Sequence, residues 1–289
     1  MGLTRSLSGR LAGSGRRPYT PAVIVSPSLD VVVDVGDMAV RFVTTDAHLA
    51  DLLQRRYAGF LNRSATSVYE FEVSIVPPGH LAVDADLDVR IVAGCWSLER
   101  GDFRAGWNPR TRRGWIQQTV NPYSADSVLR IVHTLLLASR SGFLLHAASG
   151  VRAGRASIFT GPSGMGKTTI ARLAPTDVTL LSDEISYVRK VDGAYVAFGT
   201  PFAGELLASG EAVSAPVAAI YQLAWGDHYQ LDRLGATDAV RALMKNILFF
   251  VDDTELADQL LQTACDVAAS VPVYRLTFAP DTAVWDAVA

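Results

Sequence analysis

Hydrophobic and polar residues alternate along several short stretches in the first part of the chain. Residues 30–35 and 39–43 alternate on either side of a Gly-Asp pair, which predicts a β-hairpin. From Asp46 to Leu61 the apolar residues recur every three or four positions, which predicts a helix. Further strands are predicted at residues 68–76, 89–92 and 115–120. Residues 30–122 are therefore predicted to form a small α/β domain.

The second part of the chain has longer apolar elements. Residues 124–139 have a helical apolar face, with Ser124 or Asp126 as the predicted N-cap. A second helix is predicted from Asp238 to Phe250. Strands are predicted at residues 143–149, 156–160 and 178–182. We place a domain boundary near Pro122, so that residues 123–289 form the larger domain.

Composition and charge exclude several classes of protein. The chain has 289 residues, 49% hydrophobic and 19% charged, which is enough for a buried core. A formal charge of −3 gives no general attraction to nucleic acid or to anionic membranes. Two cysteines are too few for a disulfide framework or a thiolate zinc site. Residues 1–29 hold four arginines and no acid, which predicts a mobile basic tail. We expect a cytoplasmic protein that spans no membrane.

One segment matches a phosphate-binding pattern. Residues 161–168 contain two glycines followed by lysine and a hydroxyl residue at P-loop spacing, between a predicted strand and a predicted helix. Glycines allow the backbone N–H groups to face a phosphate, Lys167 can reach the outer phosphates, and Thr168 can bind Mg²⁺. The predicted nucleotide-binding residues are Gly161, Pro162, Ser163, Gly164, Met165, Gly166, Lys167, Thr168 and Thr169.

Two acidic residues follow the next predicted strand. A strand–helix–strand unit is expected to be parallel, so Asp183 and Glu184 should share one sheet edge with the P-loop. One carboxylate can hold Mg²⁺ and the other can accept a proton from an attacking hydroxyl. Only 16 residues separate Lys167 from Asp183, a spacing that favours a kinase of small targets over a switch-type GTPase or a RecA-like motor. Glu205 is a candidate second Mg²⁺ ligand or substrate contact, or simply a surface acid.

His146 lies on the strand before the P-loop strand. If these two strands form a hairpin around residues 152–155, paired residue numbers sum to about 305–308, and His146 faces the P-loop entry. A histidine there can donate to a phosphate or hydrogen-bond a catalytic acid. The alternative is a core histidine in an apolar strand. The predicted catalytic residues are Asp183, His146 and Lys167, and the predicted metal ligands are Thr168, Glu184 and Glu205.

The order and spacing of His146, the loop from Gly161 to Thr168, and Asp183-Glu184 resemble HPr kinase/phosphorylase and its HPr-kinase-like relatives. The resemblance covers about residues 125–289. It implies an α/β fold in which a P-loop kinase domain of the HPr kinase/PEP carboxykinase-like type follows a smaller N-terminal α/β domain. It further implies ATP and Mg²⁺ as cofactors, and phosphate transfer to a serine hydroxyl with Asp183 as base.

Several departures from that family concern the substrate. The family's second acid is Asp, and this chain has Glu184; its Arg-Gly-Leu-Gly run is replaced here by residues 199–205, GTPFAGE. These differences argue against HPr as substrate and against phosphorylase activity. Residues 182–184, the 199–205 loop and the ending 271–276 are similar to divergent kinases of ribosomal-peptide gene clusters, including lasso-peptide kinases that modify a C-terminal serine.

We therefore expect a peptide or protein substrate with an acceptor serine, or a small hydroxylated metabolite. Homo-oligomerisation is left open. Two other functions use the same loop: a nucleotide hydrolase or switch, and a non-catalytic nucleotide-binding assembly protein. Asp183 discriminates between them, because a kinase needs a base beside the γ-phosphate and a binding protein does not.

Overall fold

The computed structural model describes residues 28–61, 66–77, 87–101, 103–206, 209–250 and 252–288. Nearly all of the predicted basic tail, residues 1–29, lies outside this part. The described residues form a mixed α/β structure with two sheets. The strands are β1 (Leu29–Val35), β2 (Met38–Thr44), β3 (Ser67–Ile75), β4 (Asp88–Val92), β5 (Cys95–Arg100), β6 (Phe103–Asn108), β7 (Arg113–Gln118), β8 (Gly142–Arg152), β9 (Arg155–Thr160), β10 (Thr179–Ser182), β11 (Ile185–Val191), β12 (Ala194–Phe198), β13 (Ser214–Trp225), β14 (Gln230–Arg233) and β15 (Val273–Phe278). The helices are α1 (Ala47–Arg56), α2 (Tyr123–Ala138), α3 (Lys167–Arg172), α4 (Ala236–Met244), α5 (Thr254–Ser270) and α6 (Val284–Ala287).

The first sheet has the strand order β1-β2-β3-β7-β6-β5-β4. Its predicted hairpin is confirmed, since β1 and β2 are antiparallel with Val35 opposite Met38. The sequence pattern missed β5 and β6. Alternate residues point into the core beneath helix α1, including Phe42, Phe71 and Ile116, which are fully buried. Because every second side chain of these strands is buried, apolar and polar residues alternate along their sequence.

Both predicted helices of this region differ from expectation at their ends. Helix α1 stops at Arg56, before a separate 3₁₀ turn, Ala58–Phe60. The N-cap prediction for α2 was wrong. The side-chain oxygen of Asn121 accepts hydrogen bonds from the first amides of α2, while Asp126 is buried and accepts a hydrogen bond from Tyr57. Helix α2 begins at Tyr123, so the two predicted caps, Ser124 and Asp126, lie within the helix and cannot be its N-cap.

In the second half of the chain, two long strands, β8 and β13, each pair with strands of two different rows. In one row, β9 lies between β8 and β13, with β10 beyond β8, and β15 and β14 beyond β13. In the other row, β11 and β12 connect β8 to β13. Strand β8 is therefore shared: its first half pairs with β11 and its second half with β9 and β10.

Helix α4 is shorter than the sequence predicted. It ends at Met244 instead of Phe250 because the following residues bond to β8: the Leu248 amide donates to the Leu144 carbonyl at 2.9 Å. The tertiary pairing overrides the helical periodicity. Among the described residues, no helix combines the length and the apolar character needed to cross a membrane.

Helix α2 carries a buried histidine into the core. The His133 side chain is fully buried, its ring packs edge-on against Tyr187 at 5.6 Å between centroids, and neither ring nitrogen has a hydrogen-bond partner among the described residues. Burial lowers the pKa of His133 from 6.5 to about 3.

This shift predicts that His133 makes the fold sensitive to acid. Below pH 6.5 the unfolded chain takes up a proton at this position, and the folded chain does not until the pH approaches 3. Stability should therefore fall on acidification, by about 2 kcal/mol between pH 7 and pH 5 from this group alone. In urea denaturation between pH 7 and pH 5, the free energy of unfolding should fall by about 2 kcal/mol less in His133→Phe than in the parent protein.

Tyr187→Phe, which changes the ring packed against His133 and keeps the imidazole in place, is the control. It should keep the acid sensitivity of the parent. An unchanged pH dependence in His133→Phe would contradict a neutral, buried His133.

Candidate active site

A cavity of about 590 Å³ opens where several strand ends meet. Its walls come from the loop after β9, the acidic pair after β10, the loop after β12 and the last residue of β13. Helix α2 and the middle of β8 complete it. Pockets at the ends of strands in α/β proteins are frequent binding sites.

Strand register explains why these segments meet. In the β8–β9 hairpin, Ala147 lies opposite Thr160 and Arg152 opposite Arg155. The paired numbers sum to 307, within the predicted range. Strand β10 is antiparallel to β8 as well, so β9 and β10 run in the same direction with β8 between them. The sequence predicted their common direction and did not predict the intervening strand. Their carboxyl ends share one edge, which brings Lys167 and Asp183 to one cavity.

The loop from Gly161 to Gly166 joins β9 to α3. Gly164 and Gly166 have φ values of +80° and +97°, in the left-handed region. A Cβ atom on Gly166 would also lie 2.7 Å from the Phe278 ring. Glycine is thus required there by both backbone and space. In the described part of the chain, the amides of residues 166–169 donate to no carbonyl, and these residues line the cavity.

Lys167 begins helix α3 and is one of three lysines in the sequence. The residue is only 7% exposed. Its ammonium donates to the carbonyl oxygens of Gly161 at 2.8 Å and Pro162 at 3.0 Å. Burial lowers the pKa of Lys167, while the charges of Glu184 and Glu205 act in the opposite direction. The side chain is thus a buried cation without a directly bonded carboxylate among the described residues, and a phosphate would supply the missing negative charge.

Asp183 follows β10 and is 5% exposed. One carboxylate oxygen accepts from the Gly204 amide at 2.9 Å, and the other accepts from the Leu206 amide at 2.9 Å. A Cβ atom on Gly204 would lie 2.8 Å from the carboxylate, so this approach requires glycine. The Ser182 hydroxyl accepts from the amides of residues 184 and 185 and fixes the turn. Asp183 therefore holds the loop after β12 against the cavity.

His146 lies where β8 changes partners. It pairs with Ile185 of β11, and the next residue, Ala147, begins the pairing with β9. His146 is partly exposed and lines the cavity with Asp183. Burial, followed by the positive charges of Lys167 and Arg130, lowers the pKa of His146. At neutral pH its imidazole is uncharged, so one ring nitrogen donates and the other accepts.

The three predicted metal ligands also line the cavity. The Glu184 carboxylate is 3.2 Å from the Arg130 guanidinium, and the exposed Glu205 carboxylate is 3.9 Å from that of Arg172. Within the described residues, no group of three His, Cys, Asp or Glu side chains is close enough to form a metal site alone. This donor set fits Mg²⁺, which commonly binds one or two carboxylates together with substrate phosphates and water. Thr168 adds a hydroxyl.

Besides Ala203 and Gly204, sequence reasoning missed two residues with large side chains on the cavity wall, Arg130 and Trp225. Arg130, on α2, pairs with Glu184 and lies over the Phe202 ring at 5.2 Å. Its signal was the one arginine of helix α2. Trp225 ends β13 and donates from its indole nitrogen to the Gly164 carbonyl at 3.0 Å. Its signal was an aromatic residue at the carboxyl end of an apolar strand.

Comparisons with known proteins give a family and, among solved structures, a remote likeness. The structure of the HPr(Ser) kinase/phosphatase from Coxiella burnetii matches over 47% of this chain and 84% of that chain, with 10% identity. Its TM-score of 0.26 does not establish a shared fold. No curated protein matches the chain. The family model for the SynChlorMet cassette protein ScmC matches residues 116–289, which is more than half of the chain. The protein therefore belongs to the ScmC family.

Proposed function

We propose that this protein is an ATP-dependent kinase that transfers the γ-phosphate to a hydroxyl group, in the first place a serine of a peptide or protein. The family name states no reaction, so the proposal comes from the site. One observation carries it: the buried Lys167 ammonium and the buried Asp183 carboxylate line one cavity. A cation for phosphate and a base for a hydroxyl proton are the two groups such a transfer needs.

Residues 161–169 would bind the nucleotide phosphates. The amides of residues 166–169 have no carbonyl partner among the described residues, and the adjacent Lys167 ammonium bonds only to neutral carbonyl oxygens. Phosphate oxygens are stronger acceptors for an ammonium than neutral carbonyls, because these hydrogen bonds are charge-assisted. Thr168, Glu184 and Glu205 would hold Mg²⁺, which supplies charge neutralisation to the phosphates when bound.

Asp183 would take the proton of the acceptor hydroxyl. Its two oxygens each accept one loop amide, and a carboxylate has about four acceptor positions, so lone pairs remain for the acceptor. The hydroxyl oxygen forms the new bond to phosphorus, the bond to the leaving phosphate oxygen breaks, and the proton moves to Asp183. The loop amides keep the carboxylate fixed during this step.

Two further residues would support the transfer. The uncharged His146 imidazole would donate a hydrogen bond to the transferred group or to the base. Arg130 would position Glu184, because it pairs with that carboxylate and is itself supported by the Phe202 ring. Its positive charge also faces the cavity, where it attracts the negative charge of an incoming phosphate.

The contacts of Asp183 also favour a second candidate function. A carboxylate that accepts two loop amides has a structural role whether or not it acts as a base. In that case the protein would bind or hydrolyse nucleotide without a phosphate acceptor.

A small hydroxylated metabolite is the alternative acceptor for a kinase. It would leave the roles of Lys167 and Asp183 unchanged.

Lys167→Ala should weaken the binding of ATP with Mg²⁺ by at least about tenfold, because a charge-assisted contact to phosphate is lost. Isothermal titration calorimetry measures this directly. Lys245→Ala, which removes an exposed lysine on another helix end, is the control and should bind ATP as the parent does. Equal affinity in Lys167→Ala and the parent would place the phosphates elsewhere.

Asp183→Asn should retain most of the ATP affinity and lower single-turnover phosphate transfer by about 10²–10⁴-fold, the usual contribution of general-base catalysis. Glu184→Gln is the matched neighbour and should change the Mg²⁺ dependence more than the transfer rate at saturating Mg²⁺. Near-parental transfer by Asp183→Asn would remove Asp183 from the chemistry and favour the purely structural role.

His146→Gln should lower the transfer rate on the order of 10²-fold, because a preorganised hydrogen-bond donor is displaced from the reacting group. Rate and melting temperature are measured on the same preparation. If the melting temperature falls and the rate per folded molecule does not, His146 is a core residue, and the proposal for its role is wrong.

A further inference from the structure

Trp225 is a large aromatic residue on the cavity wall that the proposed chemistry does not use. It is 45% exposed. Strand β13 is a parallel neighbour of β9, with Gln222 beside Thr160, so the end of β13 lies next to the loop that leaves β9. This register places the indole at the cavity, beside the predicted phosphate loop.

The indole is held in one orientation. Its nitrogen donates to the Gly164 carbonyl at 3.0 Å, which uses its one polar group. The Phe278 ring stacks on it with 4.8 Å between centroids and an interplanar angle of 26°. A Cβ atom on Gly166 would lie 2.9 Å from the indole, so the ring also packs against the loop backbone. Trp225 nevertheless remains 45% exposed, and its side chain has no second polar group.

The order of the strands separates the two sides of the site. Strand β9 lies between β8 and β13, and Asp183 follows β10, on the far side of β8. If the terminal phosphate faces Asp183, the rest of the nucleotide therefore extends toward β13. Trp225 is the cavity-lining residue at the end of that strand.

We propose that Trp225 stacks against the purine base of the bound nucleotide; this rests on the proposed function. Aromatic side chains stack on every base because each base has a π-face. The indole nitrogen is already bonded to Gly164, so it does not read the edge of the base. Trp225 accordingly contributes to the affinity for ATP and GTP alike.

The test compares ATP, GTP and inorganic tripolyphosphate, each with Mg²⁺, by calorimetry on the full chain. Trp225→Leu should bind ATP and GTP about tenfold more weakly, the order expected for one lost stacking contact, and tripolyphosphate as tightly as the parent. Trp115→Leu is the matched control, because Trp115 is also 45% exposed and lies on the first sheet. It should not change any of the three affinities.

Fluorescence gives a second readout. ATP should change the tryptophan emission of the parent and of Trp115→Phe, tripolyphosphate should not, and the ATP signal should vanish in Trp225→Phe. Unchanged ATP affinity in Trp225→Leu, or an equal loss for ATP and tripolyphosphate, would overturn the stacking proposal while leaving the phosphate site intact. If the parent binds neither ATP nor tripolyphosphate, the proposed function itself is contradicted, and the stacking proposal with it.

Discussion

The pairing of strand β8 with three other strands determines where the charged groups of the site lie. Its second half holds β9 and β10 in a common direction, and its first half holds β11, which follows the acidic pair. A one-residue shift of β9 or β10 against β8 would turn the side chains of the shifted strand to the other face and change the position of Lys167 relative to Asp183. The chemistry therefore depends on backbone hydrogen bonds that carry no charge themselves.

That framework buries charges which must be compensated. Lys167 is satisfied by loop carbonyls and Asp183 by loop amides, so each ion has hydrogen-bond partners from the backbone before any substrate binds. Such partners reduce the cost of burial without neutralising the charge. Burial, followed by the positive charges of Lys167 and Arg130, lowers the pKa of His146. The proposed function would use this arrangement to bind an anionic ligand on one side and to accept a hydroxyl proton on the other.

Local elements could be predicted from the sequence where the apolar periodicity and the turn residues indicate the same structure. The β1–β2 hairpin, the β8–β9 register and the loop after β9 all follow from alternation, glycine positions and residue spacing. Long-range pairing limited the rest. Strand β8 lies between β9 and β10, helix α4 is cut short by contacts with β8, and Asp126 of α2 bonds to Tyr57. None of these follows from a local pattern. Arg130 and Trp225 were missed for the same reason, since only the fold brings them to the cavity.

The identity of the phosphate-containing product distinguishes a hydroxyl kinase from a nucleotide hydrolase. A lysate of the cells that encode this protein is incubated with γ-labelled ATP, Mg²⁺ and either the parent protein or Asp183→Asn. We expect the parent alone to transfer label to an acid-stable phosphoester on a hydroxyl group, recovered as phosphoserine if the acceptor is a peptide. Label that appears only as inorganic phosphate, or in equal amounts with Asp183→Asn, would contradict a hydroxyl kinase that uses Asp183 as its base.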